Sequence, residues 1–145
     1  KDPACGPFGV LSLIVICLIK WSALYVLLQE QHYTALILFP ILGRLTPLFL
    51  FLTTEYVREK GLGWSIAQYI PKTWAMIIFG ISLLGAGYFV WVGLVTATIF
   101  ILTLIYLRYK FIQRIDGITG DTIGASIEIA ETVCLLCFII CGFYI

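Results

Sequence analysis

Long apolar runs separated by short polar links set the plan of this chain. Phe8 to Leu28 is the first run, interrupted by Lys20 and a few small polar residues, and QEQHY at 29–33 links it onward. The second extends from Thr34 to Thr53 and is broken by Pro40, Gly43, Arg44 and Pro47. Residues 54–74, TEYVREKGLGWSIAQYIPKTW, form the longest polar segment and read as a link. Ala75 to Leu107 follows without a single charge. It is too long for one straight crossing of about 20 residues but suits two short ones turning near Gly85, Ala86 and Gly87. RYKFIQRIDGITGD at 108–121 reads as the last link, and a further helix runs from about Thr122 to the end. The pattern predicts an all-α polytopic membrane protein with about five transmembrane helices. They fall near 8–28, 34–53, 75–88, 91–107 and 122–145, in one membrane domain over 1–145.

Composition agrees. The chain is 61% hydrophobic and only 12% charged, with a mean hydropathy of +1.06, far from the balance of a soluble globular domain. This leaves no room for a separate soluble domain and points to the lipid bilayer as the environment, with nothing to suggest nucleic acid. The net charge of +1 says little, but its distribution says more. With the N-terminus in the cytoplasm, the inner segments hold Lys1, Arg58, Lys60, Lys72, Arg108, Lys110 and Arg114. The outer links hold no lysine or arginine. The positive-inside rule therefore places the motif-rich links in the cytoplasm. The opening KDPACGPFG lacks the apolar core of a signal peptide. Cys134, Cys137 and Cys141 share one helical stripe in an apolar run and read as small packing residues; Cys5 and Cys17 show no pattern. His32, the one histidine, sits in an outer link.

The candidate chemistry lies in DGITGDTIGASIEIAETV, residues 116–133. On a helix starting near Asp121, Glu128 falls about 20° from Asp121, and Glu131 about 80° away on the same side. The three acids share a stripe with Gly124, and Gly117 and Gly120 shape a turn that can approach a ligand closely. Asp121 by itself could be a helix N-cap. Glu128 and Glu131 lie about 10 and 15 Å along the helix, where an unpaired carboxylate is costly. Intramembrane acids of this kind are functional candidates, and clustered oxygens at the wet end of a bundle suit Mg²⁺. Arg44 lies at about the level of Glu131 and either pairs with the acids or holds a phosphate. Lys20, slightly deeper, either pairs with an acid or extends toward the interface.

These residues resemble the cobalamin synthase family. The run matches its C-terminal signature, roughly G-x-T-G-D-x-x-G-A-x-x-E-x-x-E, at Gly117, Thr119, Gly120, Asp121, Gly124, Ala125, Glu128 and Glu131. KDPACGPFG looks like the family's K/R-D-x-x-x-G-x-x-G segment. Gly43-Arg44 matches a helix arginine, YVREKGLG at 56–63 matches a Y-x-R-x-x-G-L-G loop, and Lys20 falls where the family places a lysine. The family's N-terminal aspartate-rich motif has no counterpart, so the chain is expected to be the C-terminal portion of a longer enzyme.

The resemblance implies an adenosylcobinamide-GDP ribazoletransferase of the prokaryotic plasma (inner) membrane, with its active site facing the cytoplasm. Such an enzyme joins adenosylcobinamide-GDP to α-ribazole or its 5′-phosphate in late cobalamin (vitamin B12) biosynthesis, releases GMP and depends on Mg²⁺. It implies Asp121 and Glu128 as catalytic groups and Asp121, Glu128, Glu131 and Asp2 as metal ligands. Arg44, Arg58 and Lys60, with Gly117, Gly120 and Gly124, would bind substrate phosphate. A homo-oligomer is compatible with this reading. Two others remain on the residues alone: an ion-coupled transporter or pore subunit conducting along Lys20, Arg44, Glu128 and Glu131, and an inactive truncated remnant.

Overall fold

The computed structural model describes residues 6–58, 62–87 and 90–144. Among them the chain is all-helical apart from one isolated β-bridge. The helices are α1 (Pro7–Gln29), α2 (Tyr33–Thr53), α3 (Leu62–Tyr69), α4 (Lys72–Gly87), α5 (Val90–Ile115) and α6 (Gly120–Tyr144). α1, α2, α5 and α6 are each long and apolar enough to cross a membrane. α3 and α4 meet at 97° and supply a bent fifth candidate.

Local sequence explains where these helices stop and start. Pro7 opens α1 after Gly6, where its missing N–H costs nothing. Gln31, with φ of 57°, turns the chain out of α1 in the left-handed conformation. Pro40 and Pro47 both sit inside α2. Lacking an N–H, they leave the carbonyls of Leu36 and Gly43 without their usual helical donors. Pro71 disfavours helical backbone at Ile70, ending α3, and its carbonyl accepts from Ala75 N at 3.0 Å to start α4.

Two helices depart from the hydropathy pattern. α3 forms inside the segment read as a polar link, because LGWSIAQY is amphipathic and can lie along an interface without being long enough to cross. α5 continues two turns beyond Leu107, carrying Arg108, Lys110 and Arg114. A helix need not end where the apolar run ends. Arg108 anchors the extension by donating from Nε and Nη2 to the carbonyl of Thr53, at 3.2 and 3.0 Å, at the last turn of α2.

α6 is the centre of the bundle, packed against α1, α2 and α5. Leu27, Leu42, Phe100, Leu104 and Leu135 make the main core with Cys134, whose small thiol fits a crowded seam. Cys134 and Cys137 are buried, free cysteines. Leu50, Ile118 and Ile123 form a second cluster toward the end that carries the basic links. The outer surface is apolar, with Leu11, Ile14, Trp21, Trp74 and Trp91 among its exposed side chains. Such a surface suits lipid on the outside, with the polar backbone satisfied inside each helix.

Candidate functional site

At the basic end the two motif-bearing links are joined by backbone. Ile118 N donates to Glu55 O at 2.9 Å and Val57 N to Ile118 O at 3.0 Å, closing a parallel bridge between Tyr56 and Ile118. Gly117 makes this approach possible, since a Cβ there would strike the Glu55 carbonyl and the Val57 side chain. Asp116, with φ of 57°, ends α5 in a conformation aspartate tolerates better than most residues. Tyr56 stacks on Phe51 with centroids 6.2 Å apart. Its ring fills the space beside Gly63, and its hydroxyl would stand 3.6 Å from a Cβ at Gly120.

Thr119 caps α6. Its Oγ1 accepts from Thr122 N at 3.4 Å, while Thr122 Oγ1 accepts from Thr119 N at 2.9 Å, a reciprocal pair at the helix start. The cap therefore does not use Asp121. That carboxylate stands in the first turn, 90% exposed, with Oδ2 3.6 Å from Arg58 Nη1. Both the helix dipole and the arginine favour negative charge there.

About two turns deeper, the α6 stripe changes character. Lys20 of α1 donates from Nζ to Glu128 Oε2 at 2.9 Å and to Glu131 Oε2 at 2.6 Å. Glu128 keeps 43% of its side chain exposed and Glu131 only 11%. One ammonium thus faces two carboxylates in a region otherwise apolar. Glu131 is accommodated because position 43 of α2 is glycine: a Cβ there would lie 2.8 Å from Glu131 Cδ. The stripe is consequently divided. Glu128 and Glu131 meet at Lys20, whereas Asp121 stands apart with Arg58.

Of the other candidates, Arg44 is exposed on α2, and among the described residues it enters no ion pair. Its backbone neighbours Gly43, but its side chain leaves the helix about 100° away from the glycine face. Gly124 faces open space on α6. Lys60 and Asp2 lie outside the described residues. Among the described residues, no three histidine, cysteine or acidic side chains converge as a metal group. Asp121 fits a cation that arrives with phosphate oxygens, since Mg²⁺ commonly uses one or two protein carboxylates. Glu131, buried and hydrogen-bonded to Lys20, does not.

The sequence pattern did not single out Gly43 as a packing residue, Thr119 as the cap, or Tyr56. Thr119, two residues ahead of Asp121 and three ahead of Thr122, carried a legible capping signal. Tyr56 was marked only as the first residue of the Y-x-R-x-x-G-L-G match, and its packing was not legible because it depends on a contact between distant links.

A family model described as cobalamin-5-phosphate synthase matches residues 1–139. Two relatives from Acinetobacter baumannii, strains ACICU and ATCC 17978, both named adenosylcobinamide-GDP ribazoletransferase, are 52% and 54% identical over all 145 residues of this chain. The chain covers 59% of each of these relatives. A protein of the same name from Stutzerimonas stutzeri is 40% identical over 136 residues, 94% of this chain and 56% of the relative. No solved structure matches.

Proposed function

The chain belongs to the cobalamin-5-phosphate synthase family, and from that premise we propose that it forms the basic-end active surface of an adenosylcobinamide-GDP ribazoletransferase. Because it spans 59% of the relatives from Acinetobacter baumannii, the complete activity is assigned to the longer protein. The observation that carries the reading is the joining of links 55–58 and 116–121 into one surface. There Arg58 and Asp121 face each other at the start of α6.

The reaction is a transfer at phosphorus. A hydroxyl of α-ribazole or its 5′-phosphate attacks the phosphorus that carries the cobinamide side chain. A new P–O bond forms, the diphosphate P–O bond breaks, and GMP leaves with the bonding pair. The hydroxyl proton requires an acceptor, and Asp121 is an open carboxylate facing Arg58. Arg58, with Lys60 two positions on in the chain, would neutralise the diphosphate and the leaving GMP. Mg²⁺ entering with the diphosphate would supply further charge neutralisation, with Asp121 as its protein ligand. Arg44, projecting from α2, is available to a substrate phosphate or to the rest of the longer protein. Lys20 holds Glu128 and Glu131, so these acids serve first to fix α1 against α6. The distribution of basic residues supports a site facing the cytoplasm.

The test is GMP release from membranes containing the full-length Acinetobacter relative, supplied with adenosylcobinamide-GDP, α-ribazole 5′-phosphate and Mg²⁺. Release that disappears on changing the residue matching Asp121 to Asn supports the reading. Undiminished release in that variant refutes the role of Asp121, and no release from the wild type refutes the activity.

A further inference from the structure

A cavity of about 640 Å³ opens beside the joined links, between the last turn of α2, α3 and the start of α4. This volume falls in the range of sites for small molecules. The grooves between α1 and α6 and along the outer face of α1 are lined almost wholly by apolar side chains, as expected of surfaces facing lipid. This one differs in chemistry. Tyr56 and Trp64 supply aromatic surface, Gln68 an amide, Thr54 a hydroxyl, Glu55 a carboxylate and Lys72 an ammonium. Trp64 is 39% exposed, so its ring is available to a ligand. Among the described residues, neither Glu55 nor Lys72 is in an ion pair.

We infer that this cavity binds a heteroaromatic nucleoside monophosphate, the second substrate of the transfer. Each part of such a molecule finds its complement. A flat base stacks on the aromatic lining, because every heteroaromatic ring presents a π-face. The Gln68 amide can pair with a ring edge, having both donor and acceptor. Glu55 and Thr54 can accept from ribose hydroxyls, and Lys72 meets the phosphate. Phospholipid alone explains the lysine but leaves the carboxylate and the amide without purpose. Position also supports the assignment. Tyr56 belongs both to the cavity lining and to the contact with Gly120, so the cavity and the start of α6 share this side chain as a common wall. The cavity is walled by the end of α2 on one side and by α3, which meets α4 at 97°, on the other.

The inference rests on the preceding reading only in taking the second substrate to be a nucleotide. Its test is calorimetric titration of the chain in nanodiscs with α-ribazole and with α-ribazole 5′-phosphate. Trp64→Ala is expected to weaken both by about 10-fold, with Trp64→Phe restoring most of the affinity. Lys72→Met is expected to weaken the phosphorylated form alone, and thermal unfolding of each variant establishes that it is folded. Three results overturn the inference: no binding to the wild type at millimolar nucleotide, unchanged affinity in folded Trp64→Ala, or displacement of the nucleotide by phosphatidylglycerol. GMP release by the full-length relative is measured separately. Loss of the cavity assignment with GMP release intact leaves the enzymatic reading standing. Nucleotide binding without GMP release removes the enzymatic reading alone.

Discussion

Glu131 of α6 and Gly43 of α2 occupy one another's space: the glutamate carboxylate lies where a side chain at position 43 would begin. The absence of a Cβ allows a carboxylate to reach Lys20 within an apolar bundle. Glycine in this helix is therefore a packing requirement imposed by an acid on its neighbour. The resulting arrangement ties three helices together at one level, with Lys20 from α1, Gly43 from α2 and the two glutamates from α6.

Gly43→Ala is expected to destabilise the bundle by roughly 1–3 kcal/mol, the usual range for forcing extra volume into a packed interior. The added carbon would stand 2.5 Å from Glu131 Oε1, so the glutamate must turn away and weaken its bond to Lys20. Thermal unfolding in detergent measures the change. Pairing the substitution with Glu131→Ala should recover part of the loss; strict additivity would show that the two residues do not interact.

Lys20→Met removes the one cation from between two acids, of which Glu131 is largely buried. Breaking a buried pair in this way typically costs about 3–5 kcal/mol. The expected outcome is a large drop in unfolding midpoint, partly reversed by adding Glu131→Gln. A Lys20→Met protein as stable as the wild type would mean that the ion cluster contributes nothing to holding α1 in place.

Asp121→Asn should separate activity from stability. Its side chain is 90% exposed and does not cap the helix, so the unfolding midpoint should stay near that of the wild type. GMP release in the full-length relative is expected to fall by about 100-fold or more, the usual scale for losing a general base. Thr119→Ala should behave in the opposite sense. It loses the helix cap, at about 1 kcal/mol of stability, and retains the carboxylate.

Gly117→Ala should unfasten the two links, because its Cβ would meet the backbone carbonyl of Glu55, which cannot swing aside as a side-chain end can. Hydrogen exchange reads this directly. The amides of Val57 and Ile118, protected in the wild type by their cross-link bonds, are expected to exchange faster in the variant. Unchanged protection would show that the bridge tolerates a side chain at 117.

The all-helical membrane architecture was legible from one dimension, because an apolar run must satisfy its backbone within itself when it enters lipid. The alignment of Asp121, Glu128 and Glu131 along one side of a helix was legible as well, since helical periodicity is local. Periodicity places side chains around one axis but does not say which neighbouring helix each one meets. Hence Lys20 could be read as paired or as reaching for the interface, and only the packing of α1 on α6 decides for the pair.

Asp121 could be read as a cap until the turn geometry assigned that task to Thr119. α3 was hidden because eight amphipathic residues carry too weak a signal to stand out from a polar link. The sequence by itself determined the helices' apolar character, the spacing of the acids and the basic end of the bundle. The tertiary structure decided which acid is held by lysine and which remains open beside Arg58, and that Tyr56 joins two distant motifs. Those outcomes depend on contacts between segments far apart in the chain, and their geometry exists only once the helices have packed.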